Sequence, residues 1–246
     1  MPRIKRRTYS GCVCEQEVFT VAANRKSLKT AEPRERFKTE EDRARHREGI
    51  SRRHHARLVN ENFTPDSLYS TLTMDDEHEV HTFEEADKLA DRYIRRLRYL
   101  NPDAQIMFHM GRGRSTNRIH FHMLSNGLSE KVIREKWRAG KVVSIENLRA
   151  HNYYNGVDHG RDYMALANYL FNHWTPEQGS HRWRQTKNIR QPVQETPKIV
   201  KRDYSESKPP RAPKGYKLVE HRSNQFGYQY FKYIKEENDQ PRRMTC

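Results

Sequence analysis

The chain has 246 residues, enough for one globular domain with extensions or for two small ones. Lysine and arginine number 47 against 32 acidic residues, a formal charge of +15, and only 34% of the chain is apolar. This excludes a large hydrophobic core and points to a polyanionic partner, since each phosphate neutralised releases a counterion. No stretch approaches the ~20 apolar residues that cross a bilayer. The three cysteines, Cys12, Cys14 and Cys246, can form neither a closed disulfide set nor a four-ligand zinc site. A cytoplasmic chain with free thiols and no membrane partner is expected.

Residues 1–35 show little periodicity and read as an irregular lead-in with a short strand around Val18–Val21. Residues 38–61 are charged and rich in helix formers, which predicts a helix with one thin apolar seam. Leu68–Thr73 is rich in β-formers and predicts a strand. Thr82 with Glu85 three residues on is a capping box. After it, Phe83, Ala86, Ala90, Tyr93, Leu97 and Leu100 recur at helical spacing and make one buried face. Asn101-Pro102-Asp103 ends that helix.

Residues 104–110 and 118–124 predict two more strands. The glycine-containing loop 111–117 between them marks a hairpin. Ser129–Trp137 predicts a short helix closed by Gly140, residues 141–145 a fourth strand, and Gly160–His173 a last core helix. The order β-α-β-β-α-β-α predicts an α+β chain: a ferredoxin-like antiparallel sheet of split β-α-β type, with helices on one face. Residues 191–213 carry five prolines and read as an extended linker, and 215–234 alternate enough for a terminal hairpin. The expected organisation is a basic extension over 1–60, a folded domain over 61–190, and a linker with a hairpin-like tail over 191–246.

The sharpest chemical signal is His120-Phe121-His122. Side chains alternate along a strand, so both imidazoles leave one face while Phe121 enters the opposite layer. Two imidazoles side by side are half of a divalent-metal site. His109 lies on the neighbouring strand. A hairpin turning near Arg114-Ser115 sets it almost across from His120, as a third ligand. On the last helix Tyr163, Leu166, Ala167 and Leu170 form an apolar stripe. Tyr169 lies on another stripe with Asp162, Ala165, Asn172 and His173, which makes it a nucleophile candidate beside such a metal site.

Three motifs in this order resemble those of HUH endonucleases, in the rolling-circle replication-initiator branch. They are Thr71-Leu72-Thr73 preceded by Asn62-Phe63, His120-Phe121-His122, and Leu166-Ala167-Asn168-Tyr169-Leu170. The similarity spans about residues 50–195 and includes Arg95-Arg96-Leu97-Arg98, Trp137-Arg138-Ala139-Gly140 and Asn188-Ile189-Arg190-Gln191-Pro192. The resemblance implies that His120, His122 and His109 bind Mg²⁺ or Mn²⁺. It also implies that Tyr169 attacks single-stranded origin DNA, leaving a 5′-phosphotyrosine and a free 3′-OH. Such helices often carry a lysine one turn after the tyrosine. Here Asn172 and His173 stand there, so His173, Arg161 or Arg182 is expected to take its role.

Arg52, Arg53, Arg112, Arg114, Arg182, Trp183, Arg184 and Lys187 mix cations with an aromatic and are expected to hold the strand. No nucleotide-binding loop is present, so no nucleotide cofactor is expected, and a host helicase and polymerase would complete replication. A relaxase- or transposase-like nickase shares these motifs, and a non-catalytic basic nucleic-acid-binding protein shares the charge. Metal-dependent nicking separates the last from the others.

Overall fold

A computed structural model describes residues 2–21, 39–113, 117–173, 181–225 and 227–236. The elements in chain order begin with β1 (Arg3–Ser10), β2 (Val13–Thr20), α1 (Glu40–Asn62), β3 (Leu68–Thr73), α2 (Phe83–Leu100), β4 (Gln105–Arg112) and β5 (Ile119–Asn126). They continue with α3 (Glu130–Lys136), β6 (Val142–Asn147), β7 (Tyr153–Tyr154), β8 (Val157–Asp158) and α4 (Met164–Phe171). The chain ends on β9 (Arg184–Gln185), β10 (Val193–Gln194), β11 (Lys198–Val200), β12 (Tyr216–Ser223) and β13 (Gln229–Lys235). The chain is α+β with antiparallel sheets, and no helix of the described residues is long and apolar enough to cross a membrane. Two compact units are present. One joins Met1–Arg36, Tyr153–Gly160 and Val193–Cys246, and the other joins Phe37–Asn152 and Arg161–Pro192.

The second unit is built on a five-stranded sheet of order β6-β3-β5-β4-β9, antiparallel throughout. β5 lies between β3 and β4, the two strands that α2 connects, which is the split β-α-β arrangement. Alternation sorts the strand residues. Leu72, Ile106, Phe108, Met110, Ile119, Phe121 and Met123 leave one face and pack against Phe83, Ala86, Ala90, Tyr93 and Leu97 of α2 and Ile133 of α3. α2 starts where expected, with Thr82 accepting from the Glu85 amide and the Glu85 carboxylate accepting from the Thr82 amide. Phe108 and Phe121 are fully buried, and truncating either to alanine would cost about 3–5 kcal/mol.

Met107 and Leu124 point the other way and meet Ala56, Leu58 and Val59 of α1 and Ala167 and Leu170 of α4. Helices therefore cover both faces, not one as expected. α1 explains why this was hidden. Its first half is solvated and only its C-terminal part, from His55 onward, contributes buried side chains, so its apolar seam is too short to stand out. Asn60 at that end fixes α4. Its side-chain amide donates to Asp162 Oδ1 (3.1 Å) and its carbonyl oxygen accepts the Tyr163 amide (2.8 Å), while Asp162 also accepts the Met164 amide (3.0 Å). These bonds occupy amides at the start of α4 that have no partner within the helix. α1 thus belongs with this unit and not with an N-terminal extension.

In the other unit residues 3–20, expected to be irregular apart from a short strand around Val18–Val21, form the β1–β2 hairpin. It is closed by Gly11-Cys12 with Gly11 at φ 57°, as a two-residue hairpin turn requires. The sheet order is β10-β1-β2-β13-β12, with β11 also on β1. The terminal hairpin was expected. The 191–213 segment is not a free linker, since β10 and β11 within it both pair with β1. β2 escaped the pattern because alternate positions carry buried acids, Glu15 and Glu17. Tyr230 donates to Glu15 (2.7 Å), and Tyr228 (2.9 Å) and Arg6 (2.6 Å) donate to Glu17. Cys12 and Cys14 are free buried thiols, and burial pushes Cys14 up to about 11.

Candidate metal centre

β5 presents His120 and His122 on the face toward α4, while Phe121 enters the opposite core. His173 follows the end of α4 and turns back toward the same strand. The ligand nitrogens of His120, His122 and His173 all lie within 4.8 Å of one another. Ring centroids are 5.0 Å apart for His120–His122, 5.4 Å for His120–His173 and 4.6 Å for His122–His173.

Neighbouring groups orient two of these rings. The His173 Nδ1 lies 2.8 Å from the Tyr169 carbonyl oxygen. A carbonyl only accepts, so Nδ1 carries a proton, and in the neutral ring the lone pair is then on Nε2. His122 Nδ1 lies 2.8 Å from the Tyr69 hydroxyl and 3.3 Å from Thr71 Oγ1, and its Nε2 is buried with no hydrogen-bond partner among the described residues. A buried polar atom left without a partner costs about 1–3 kcal/mol, which a metal ion would recover. Burial first, then the neighbouring His173 and His120, pushes His122 down to about 3. Burial and His173 also lower His120. Both are thus held in the uncharged form that ligates. The residues fit a divalent ion held by three imidazoles.

Gly111 makes the room. It pairs across β4–β5 with His120, and a Cβ at that position would lie 2.7 Å from His173 Cδ2 and 3.2 Å from His173 Cβ. The sequence reading placed Gly111 in the hairpin loop, but the strand runs on to Arg112.

Tyr169 lies one turn before His173, half exposed, with its ring 4.3 Å from that of His173 and 5.6 Å from that of His122. Tyr163 is buried in the core beside Ala167 and Leu170. The two tyrosines therefore differ in exposure as the stripe argument predicts.

His109 is not in the cluster, a correction to its expected role. The hairpin register is shifted by two residues, so His109 pairs with His122 and Gly111 with His120. A two-residue shift keeps the face and moves the side chain along the strand. Fully buried, His109 instead meets His55 of α1, Nε2 to Nε2 at 2.8 Å. His55 was not anticipated. It lies in the charged run of α1, where nothing in the spacing distinguishes it from exposed His54.

No family model, no curated protein and no solved structure matches this chain.

The expected strand-binding residues are scattered. Arg52 and Arg182 both stack on Phe171 at the end of α4, at 4.7 and 4.3 Å, and Arg52 also donates to Asn172 (2.6 Å) and Glu48 (2.9 Å). Trp183 packs 4.6 Å from the His55 ring and donates to Gln185 (2.8 Å), so it is a partly buried support rather than an open stacking platform. Arg53 and Lys187 are exposed. Arg184 is held by Asp87 and Asp91 of α2, which neutralise its charge. Arg112 stacks on Phe83 and donates to the carbonyls of Asn117 (2.9 Å) and His81 (3.2 Å), so it braces the hairpin. Arg114 lies outside the described residues.

Proposed function

We propose that the unit Phe37–Asn152 with Arg161–Pro192 is an HUH-type endonuclease that nicks single-stranded DNA through Tyr169. The observation that carries this reading is a half-exposed phenol set against three imidazoles whose ligand nitrogens converge. The strand order supports it, with the His-hydrophobic-His strand central in the sheet and the tyrosine helix packed across it.

His120, His122 and His173 would hold the ion, with His173 replacing His109 in the expected set. Bound there, Mg²⁺ or Mn²⁺ would polarise the scissile phosphate and offset the charge that develops on its oxygens. The Tyr169 oxygen forms the new bond to phosphorus as the bond to the 3′ oxygen breaks. The phenol's proton is lost to solvent and the 3′ oxygen takes one up. The products are a 5′-phosphotyrosine and a free 3′-OH, and since one phosphodiester replaces another, the same site can rejoin ends without ATP. With His173 as a ligand, Arg52, which donates to Asn172, and Arg182, which stacks on Phe171, are cations placed to take the part of the absent lysine. In a chain of charge +15 this chemistry suits a rolling-circle initiator whose 3′-OH primes a host polymerase.

The test is incubation with a labelled single-stranded DNA pool of random sequence and Mn²⁺, followed by denaturing gels and peptide mapping. The parent and Tyr163→Phe should form a covalent adduct on Tyr169, and Tyr169→Phe should form none. An adduct on any other residue, or none that depends on metal, refutes the proposal.

A further inference from the structure

Tyr69 belongs to no motif that singled out the site, yet it reaches the centre. It lies on β3, the strand beside β5, and its ring stacks on His122 with centroids 5.6 Å apart and planes 17° from parallel. Its hydroxyl is 2.8 Å from His122 Nδ1. Thr71, directly across from His122 in the ladder, offers a second oxygen at 3.3 Å. His122 is thus gripped at one nitrogen by β3, and its other nitrogen is buried and without a partner among the described residues, on a ring 5.0 and 4.6 Å from those of His120 and His173.

The consequence follows from imidazole chemistry. A neutral ring has one N–H and one lone pair. If Nδ1–H donates to the Tyr69 oxygen, the lone pair must be on Nε2, where the other two histidines converge. If the Tyr69 hydroxyl donates instead, the proton sits on Nε2 and the ring cannot ligate. An ion at the three histidines selects the first state, and a hydroxyl accepts in it as readily as it donates in the other.

We infer that Tyr69 is a positioning residue of the metal centre, accepting the His122 Nδ1 proton so that Nε2 faces the ion, with Thr71 as the auxiliary acceptor. This rests on the reading of His120, His122 and His173 as metal ligands. Partners of this kind outside the ligand set typically change metal affinity by roughly ten- to a hundredfold, because they fix both the tautomer and the ring angle.

The experiment titrates Mn²⁺ into the full chain by electron paramagnetic resonance, with no DNA present, for the parent, Tyr69→Phe and Tyr69→Phe/Thr71→Val. Phenylalanine keeps the stacked ring and removes only the hydroxyl, and circular dichroism checks that each variant is folded. Tyr69→Phe should weaken Mn²⁺ roughly tenfold or more, and the double variant should weaken it further. Nicking by Tyr69→Phe should need a correspondingly higher Mn²⁺ concentration for half-maximal rate, with the saturated rate within about twofold of the parent. A parent that binds Mn²⁺ beside a folded Tyr69→Phe of equal affinity overturns the role of Tyr69 and leaves the metal reading standing. A lowered saturated rate at unchanged affinity overturns it as well, because the hydroxyl would then act on Tyr169. A parent that binds no Mn²⁺ removes the metal reading and the role of Tyr69 together.

Discussion

Lowering the pH from 7 to 5 is expected to cost the unit that carries the three-histidine cluster about 2 kcal/mol or more through a single buried contact, His55 to His109. The two rings meet Nε2 to Nε2 at 2.8 Å, so one donates and the other, which must be neutral, accepts. Burial holds His55 down at about 3 and His109 well below the usual histidine range. In the unfolded chain each returns to about 6.5. A folded value below the unfolded one means that the unfolded state binds more protons. The stabilisation is therefore complete above about pH 6.5 and is lost as pH falls toward the folded value. Between pH 7 and 5 His55 forfeits about 2 kcal/mol, and His109 adds to the loss in the same direction, against a typical total of about 5–15. Acid-induced repulsion in a chain of charge +15 adds to this, so the measurement is a difference. Urea unfolding of the parent and of His55→Phe/His109→Leu should be followed by tryptophan fluorescence at pH 7, 6 and 5. Trp137 and Trp183 belong to this unit and the segments of the other unit contain no tryptophan, so the signal reports this one. The double variant, in which no buried imidazole of the pair is left to protonate, should lose at least about 2 kcal/mol less than the parent over this range. Parallel pH dependences in the two proteins would refute the argument.

Four further outcomes are expected. Gly111→Ala should leave the sheet intact yet displace His173, which a Cβ there would meet at 2.7 Å, and so weaken Mn²⁺ binding at least tenfold by calorimetry. An unchanged affinity would mean that His173 is not a ligand. His120→Ala/His122→Ala should abolish both Mn²⁺ binding and nicking while single-stranded DNA binding persists. Because imidazole donors suit transition ions better than Mg²⁺, Mn²⁺ or Co²⁺ should support the parent's nicking at lower concentration than Mg²⁺ does. Binding to single-stranded DNA should weaken with salt by about 0.7 in log K per phosphate contact on log salt, measured by fluorescence anisotropy, and a flat response would remove the basic surface from the account.

Much of the second unit can be read from spacing. β3, the capping box of α2, the β4–β5 hairpin and the Ser129 cap of α3 all come from local rules, because each is a short-range choice between a period of 2 and a period of 3.6. The same alternation sends Phe121 into the core and His120 and His122 out together. Of the other unit, only the terminal hairpin and the end of β2 could be read this way. Its central strand β2 buries Glu15 and Glu17 against tyrosines and an arginine more than two hundred or about ten residues away, so the pattern that marks a half-buried strand is absent. β10 and β11 are too short to announce themselves, and only pairing with β1 makes them strands.

The sequence by itself determined that two imidazoles share one face of a strand and that an exposed tyrosine and a histidine lie one turn apart on a helix, since both follow from the repeat of a single element. Which third side chain joins the imidazoles was decided only in three dimensions. A two-residue shift of the hairpin keeps every side chain on its proper face, so hydrophobic patterning cannot detect it, yet it carries His109 away to His55 and sets Gly111 opposite His120. The space left by that glycine admits His173 from a helix fifty residues further along the chain, and Asn60 on α1 fixes where that helix starts. Contacts of this kind depend on register and on packing between distant segments, and no local period encodes either.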